Sequence, residues 1–377
     1  MDNLTHTLFG ATLARTPLGR AGRGATAALL LASNAPDIDI VATAGGAVNY
    51  LKWHRGPTHG AFGIVGLGIA TAAMVWAGRR AWDRQRDPGH TGNRDNHDTP
   101  DASFGMLVAV SIIGVLFHVL MDLPTSYGSR ILSPFDWHWY GWDWMPIVDL
   151  YLLMMLVAGL FFGRLSERAR RRNATVVLVL MAANYGVRAA AHHQALALVP
   201  RVFGPTLPAR CETEAPGGLL DSWPRPAATA RPASGTRCLV DVAAMPSFGS
   251  PFDWRIVAQF SNAYELRDID LLDARLRGAD DGSEAPWRTN VRYPNVWTPA
   301  VVTAGATATG QVFLGFSRFP AARSAEDQQH ITTVRITDMR FVAGPAPVDQ
   351  QFRRDNLFTA RVRLGPDGRV VDEGLGR

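Results

Sequence analysis

From Ala61 to Ala77 the chain carries no charged side chain, and this run is long enough to cross most of the hydrocarbon of a bilayer. Similar apolar runs recur at Met106–Met121, Ile147–Phe162 and Ala174–Val199. A chain crossing lipid must satisfy its backbone polar groups internally, so these runs predict helices. Together they predict an α-helical polytopic membrane domain. Leu4–Ala14 and Ala25–Ala35 read as shorter apolar helices, the second stopped by Pro36 in Asn34-Ala35-Pro36-Asp37-Ile38-Asp39. Neither reaches the ~20 apolar residues of a span, so half-helices or buried bundle members are expected.

The formal net charge of +5 is almost wholly arginine, since Lys52 is the only lysine. Arginines flank the apolar runs, at Arg15, Arg20 and Arg23, at Arg79, Arg80, Arg84, Arg86 and Arg94, and from Arg164 to Arg172. This is the pattern of membrane-flanking charge, and no nucleic-acid recognition motif accompanies it, so a nucleic-acid partner is not expected. The positive-inside rule places those segments in the cytoplasm. The Asp37/Asp39 segment, the His54/His59 loop, the His118–Trp144 region and everything after Val199 then fall on the opposite side. Trp137, Trp139, Trp142 and Trp144 suit an interfacial aromatic belt there. The start, Met1-Asp2-Asn3-Leu4-Thr5-His6, lacks a positive n-region, so no cleavable signal peptide is expected. The chain reads as a multi-pass protein of the cytoplasmic (inner) membrane, with the lipid bilayer as its first partner.

After Val199 the composition changes. Pro205, Pro208, Pro216, Pro224, Pro226 and Pro232 mark a linker. Strand-like stretches follow at Cys238–Val242, Trp254–Phe260, Tyr264–Leu271, Gln311–Phe316, Thr332–Phe341 and Leu357–Leu364. The expected organisation is a membrane domain at 1–200, a Pro-rich linker at 201–235 and a small mostly-β extracytoplasmic domain at 236–377. Cys211 and Cys238 are either two free thiols or a disulfide, and an oxidising compartment favours the disulfide.

Polar residues at the ends of the apolar runs need a reason, because ionisable groups are costly beside hydrocarbon. In Trp53-His54-Arg55-Gly56-Pro57-Thr58-His59 two imidazoles bracket a tight turn just before the first span. His118 and Asp122 stand at i and i+4 at the far end of the second span, a chelating spacing. Asp37 and Asp39 sit two apart after a helix stop, and His6 lies in the first short helix. The topology sends His6, Asp37, Asp39, His54, His59, His118 and Asp122 to one side, and all seven are candidate metal ligands. Imidazole with carboxylate suits zinc first, or manganese or iron, as one or two ions, and the lack of cysteine among them argues against a zinc finger.

In order along the chain, Asp2-x-x-Thr5-His6, Pro36-Asp37-x-Asp39, His54-Arg55-Gly56-x-Thr58-His59 and His118-x-x-x-Asp122, followed by Tyr127-Gly128 and Pro134-Phe135, resemble the YdjM-like family of predicted inner-membrane metal-dependent hydrolases. The resemblance covers roughly Met1 to Val199 and implies a membrane-bound hydrolase with these His and Asp residues as ligands. It also suggests a more distant kinship with zinc-dependent phospholipase C-type helical enzymes. Gly60 stands where a serine often follows the second histidine.

The expected function is metal-assisted attack of water on an ester or phosphoester of a lipid or envelope component, with Arg55 and Asp39 as catalytic candidates and a lipid headgroup as substrate. The competing class is a non-enzymatic metal-binding membrane module, transporter or envelope interaction protein. Arg130 is a further phosphate-clamp candidate beside Arg55. Asp149 reads either as support for a ligating histidine or as a helix-start carboxylate. Arg188 is expected to be partnered inside its span, and His90, His97, His138, His192, His193 and His330 are not expected to bind metal. No H-E-x-x-H, G-x-S-x-G or P-loop motif is present.

Overall fold

The structure is a computed structural model, and it describes residues 1–86, 100–162, 166–204, 207–211, 222–223, 237–273, 289–342 and 358–376. The chain divides into two compact units. The first comprises Met1–Ile40, His54–Trp137 and Ile147–Gly186, and the second Val41–Trp53, His138–Pro146 and Val187–Arg377. His90 and His97, and residues 205–206, 212–221 and 224–235 of the expected linker, lie outside the described residues.

The first unit is helical. Asp2 opens α1 (Asn3–Leu13) by accepting the Thr5 N–H at 3.0 Å. Helix α2 (Ala25–Ala32) ends where Pro36 approaches, and a 3-10 stretch, Ala35–Gly45, continues the chain. After α3 (Gly46–Trp53), a segment of the second unit, come α4 (Ala61–Arg86) and α5 (Phe104–Asp122). Helices α6 (Leu150–Phe162) and α7 (Glu167–Ala197) follow. Among the described residues three helices are long and apolar enough to cross a membrane, within Ala61–Gln85, Phe104–Asp122 and Glu167–Ala197. The expected span Ile147–Phe162 is a shorter helix of 13 residues, because Asp149 caps it by accepting the Leu152 N–H at 2.7 Å. Asp149 is thus a helix-start carboxylate.

Small residues set the helix spacing. A Cβ on Gly68 of α4 would lie 2.5 Å from the Ile112 side chain and 3.0 Å from its backbone on α5. A Cβ on Gly114 of α5 would lie 2.8 Å from Ala32 of α2. Small residues at these positions let the helix backbones approach closely, which is how apolar helices pack where burial alone gains little.

The second unit carries the strands. Two residues each of β1 (Trp139–Tyr140) and β2 (Ser222–Trp223) pair antiparallel. One four-stranded antiparallel sheet has the order β3-β4-β5-β6, formed by Leu239–Pro246, Asp253–Phe260, Ala263–Asp270 and Thr289–Pro294. Val199–Phe203 (α8) and Ala191 and Ala195 of α7 cover one face of this sheet against Trp254, Ile256 and Phe260. The other face shares Val257, Tyr264 and Leu266 with Phe319 and Ala321 of the second sheet. Burial on both faces explains why these strands are nearly continuous in buried residues rather than alternating.

The second sheet has the order β10-β9-β8-β7, with β7 Pro320–Glu326, β8 Thr332–Asp338, β9 Thr359–Leu364 and β10 Val370–Leu375. In sequence, between β6 and β7, come α9 (Pro299–Gly305) and α10 (Ala308–Leu314), which contact strands of the second sheet. The strand expected at Gln311–Phe316 is therefore mostly helix. Its cause is local: Thr307 caps α10 by accepting the Gly310 N–H at 3.1 Å. Arg188 is fully buried and donates to the Ser247 carbonyl at 3.1 Å, His192 packs on the Trp254 ring at 5.6 Å, and His330 pairs with Glu326 at 2.6 Å.

Cys211 and Cys238 form a disulfide across a separation of 27 residues. It reinforces a backbone bridge in which Cys211 donates to Leu239 and Leu239 to Ala209, each at 2.9 Å. Replacing both cysteines by serine should cost the full chain about 3–4 kcal/mol, from the closure entropy of a loop of this length. Denaturant unfolding monitored through the β region checks this, and an unchanged midpoint would refute it.

Candidate metal centre

The helix ends of the first unit converge on one buried cluster. Asp37 comes from the 3-10 stretch after α2, His59 from the turn before α4, and His118 and Asp122 from successive turns at the end of α5. One ligand atom from each of the four lies within 4.8 Å of all the others. His118 Nε2 is 3.5 Å from both Asp37 Oδ1 and Asp122 Oδ2, and His59 Nε2 is 3.4 Å from Asp122 Oδ2 and 4.0 Å from Asp37 Oδ1. Tetrahedral donors at zinc bond lengths of ~2.0–2.1 Å would stand ~3.4 Å apart, so the spacing fits a small divalent ion.

Hydrogen bonding supports the same reading. His59 Nε2, His118 Nε2 and Asp122 Oδ2 are buried without a hydrogen-bond partner, a state that costs about 1–3 kcal/mol each when nothing compensates. The opposite ring nitrogens are occupied. His118 Nδ1 stands 2.8 Å from the Ser33 carbonyl, which can only accept, so that nitrogen carries the proton and Nε2 presents a lone pair. His59 Nδ1 lies 3.0 Å from the Thr58 hydroxyl. The four side chains therefore could hold a metal ion.

The remaining sequence candidates surround this group. His6 stacks on His118 with centroids 3.7 Å apart, and its Nε2 is 3.4 Å from Asp122 Oδ1. Asp39 holds the loop: it accepts the Arg55 N–H at 2.7 Å and faces His54 Nδ1 at 3.2 Å, and its Oδ2 stands 3.9 Å from His59 Nδ1. His54 packs edge-on to Tyr127 at 5.4 Å. Arg55 adopts a positive φ of 49°, a strained conformation for a residue with a Cβ. Both its backbone groups are fixed, the N–H by Asp39 and the carbonyl by the Arg130 N–H at 3.0 Å. Its guanidinium donates to Asp122 Oδ1 at 3.0 Å and to the Gly128 carbonyl at 2.8 Å, and the Met1 ammonium also contacts Asp122 Oδ1. One carboxylate oxygen of Asp122 is thus held by cations while the other faces the histidines. Arg130 lies over the Trp137 ring at 5.4 Å, and burial lowers its pKa to about 10.

Ser33 and Thr125 are positioning groups that the sequence did not single out. Ser33 acts through its carbonyl beside His118 and Thr125 through a hydroxyl 3.5 Å from the Arg55 guanidinium, which leave no residue-type signal. Gly128, whose carbonyl accepts from Arg55, belongs to the Tyr127-Gly128 motif. Gly60 does have a geometric reason. A Cβ there would lie 2.2 Å from the Ser133 carbonyl oxygen and 2.8 Å from its hydroxyl. The serine of the family pattern has no room on this backbone, and Gly60→Ser should destabilise the loop by about 1–3 kcal/mol. An unchanged melting temperature and metal content would contradict that.

Burial lowers the pKa of His59 and His6 well below the ordinary value of 6.5. Burial also lowers His54, against the opposing pull of Asp39. These imidazoles stay neutral in the fold and can act as ligands. The unfolded chain takes up protons near pH 6.5 that the fold resists, so chelator-treated protein should lose stability as pH falls below about 6.5. Melting in detergent at roughly pH 8 and pH 5.5 tests the sign, and a higher midpoint at the acid pH would contradict it.

A family profile described as YdjM inner membrane protein matches residues 1–195. No curated protein and no solved structure matches the chain.

Proposed function

The chain belongs to the YdjM inner membrane protein family, and from that premise we propose that it is a metal-dependent hydrolase acting on an ester or phosphoester of a membrane lipid or envelope component. The observation that carries this reading is the convergence of Asp37, His59, His118 and Asp122, with His59 Nε2, His118 Nε2 and Asp122 Oδ2 buried and without a hydrogen-bond partner. Zinc suits them best, since two imidazoles and two carboxylates at this spacing match its tetrahedral preference. Bound there, the ion would supply Lewis-acid chemistry and a water of lowered pKa. His54, neutral and held by Asp39, is placed to accept a proton, and Asp39 acts as its positioning residue. Arg55 provides positive charge for a developing anion.

The donor loop supports a lipid substrate. Between and beside the inward aspartates, Ile38 and Ile40 are 55% and 57% exposed, so the backbone that carries Asp37 and Asp39 turns an apolar face outward. The Cys211–Cys238 disulfide favours an oxidising compartment for the β-rich half, in keeping with the positive-inside reading that places that half and the donor cluster outside the cytoplasm.

A second reading has its own observation. Four protein donors around one point resemble a closed structural site, whereas catalytic zinc keeps a position open. A non-enzymatic metal-binding role would follow if the site never admits water.

Elemental analysis of purified protein should find about one divalent ion per chain, and His118→Ala should lose it. Asp39→Asn should retain metal to within about 10–100-fold in affinity while lowering hydrolysis across a panel of lipid esters. Protein that stays metal-free after supplementation would overturn the proposal. Bound metal with no turnover on the panel would select the structural reading.

A further inference from the structure

A cavity of about 520 Å³ opens among α1, α2, α6 and the start of α7, beyond the opposite end of α1 from His6. Its apolar wall includes Leu8, Leu30, Val157 and Leu160, and its polar end carries Arg15 and Arg170. The volume falls in the ~300–1,000 Å³ range of ligand sites. Among the described residues no carboxylate, imidazole or thiol lines it, and what does line it suits binding.

The charge is asymmetric. Arg15 is tied to α6 by a 3.1 Å hydrogen bond to the Gly159 carbonyl, which fixes one guanidinium at the groove. Arg170 and Arg20 both reach Glu167, at 3.3 and 3.4 Å, through half-exposed contacts that are worth little on their own. Arg15, Arg20 and Arg170 thus bring three guanidiniums to this end, where Glu167 is the carboxylate that Arg20 and Arg170 contact. The flank is open to lipid, since Val157 and Phe161 of α6 are 49% and 57% exposed. An apolar groove beside hydrocarbon with cations at one end matches an amphiphile with an anionic head.

We propose that this groove seats one anionic phospholipid, with an acyl chain along the Leu8–Leu30–Leu160 wall and the phosphate on Arg15 and Arg170. A zwitterionic lipid fits worse, because its headgroup cation would sit among the arginines. The site does not depend on metal chemistry and shares no residue with the donor cluster.

The test is native mass spectrometry of the full chain in detergent, titrated with dioleoylphosphatidylglycerol or dioleoylphosphatidylcholine. The first phosphatidylglycerol should bind more tightly than the first phosphatidylcholine. Each cation near an anionic lipid contributes about fivefold, so R170Q should weaken phosphatidylglycerol about fivefold and R15Q/R170Q about 30-fold, with phosphatidylcholine unchanged. Arg170 is half-exposed, so R170Q keeps the test clear of folding defects. L30W, which fills the wall, should reduce binding of both lipids, and R80Q, on a different flank, should change neither. Equal affinity for the two lipids, no effect of R170Q and the double variant, or full competition by soluble glycerol phosphate would each overturn the proposal.

Discussion

The helical unit depends on balancing buried charge around Asp122. Asp37, Asp39 and Asp122 bring three carboxylates into one low-dielectric region, and Arg55 is the guanidinium that enters it with them. The Met1 ammonium on Asp122 Oδ1 is a second cation, which leaves a net excess of 3 − 2 = 1 negative charge beside His59 and His6, whose pKa values burial lowers. Uncompensated charge in such a place costs several kcal/mol per ion. A divalent cation at the four donors would offset that excess and would also satisfy the bare Nε2 lone pairs. The same ion accounts for both the electrostatics and the hydrogen-bond gaps, so the metal reading is stronger than donor spacing alone would make it.

Helix packing sets the precision of that arrangement. His118 and Asp122 need only an α-helix to share a face, but the orientation of His118 needs the Ser33 carbonyl at the end of α2. That carbonyl comes within reach because Gly114 lets α5 approach Ala32, and Gly10 lets α1 approach Ser33 at the same level. Small residues that look like generic membrane packing therefore determine which imidazole nitrogen faces the site. The strained Arg55 is stabilised in the same way, between the Asp39 carboxylate and the Arg130 N–H.

Much of this was legible in the sequence, and the failures have physical causes. The i, i+4 pair at the end of α5 and the histidines flanking Gly56-Pro57 were readable because local periodicity decides them. Seven candidates could not be sorted by role, because the sorting depends on backbone type. In a 3-10 stretch residues turn by about 120° each, so Asp37 and Asp39 point differently, one to the donors and one to the loop. The run Ile147–Phe162 begins ahead of Asp149, and of that residue's two readings the helix start is the one observed, so α6 is shorter than the run. The segment at Gln311–Phe316 is apolar enough for either element, and Thr307 decided it. Helix α3 was missed because Gly46–Trp53 packs against α10 and β10, partners far away in sequence.

Helix α1 shows why so short an element belongs in this unit. At 11 residues it cannot span a bilayer, yet it is not a surface helix: Phe9 and Leu13 are buried, and His6 is wholly enclosed. Its first turn stacks His6 on His118, while Arg15 just past its end hydrogen-bonds α6. A longer helix would carry its cationic end farther from that acceptor, and a shorter one would leave His118 without its stacking partner. Its length is thus constrained at both ends by contacts inside the unit rather than by bilayer thickness. An apolar segment well short of ~20 residues within a membrane protein is therefore a reason to look for what it holds at each end.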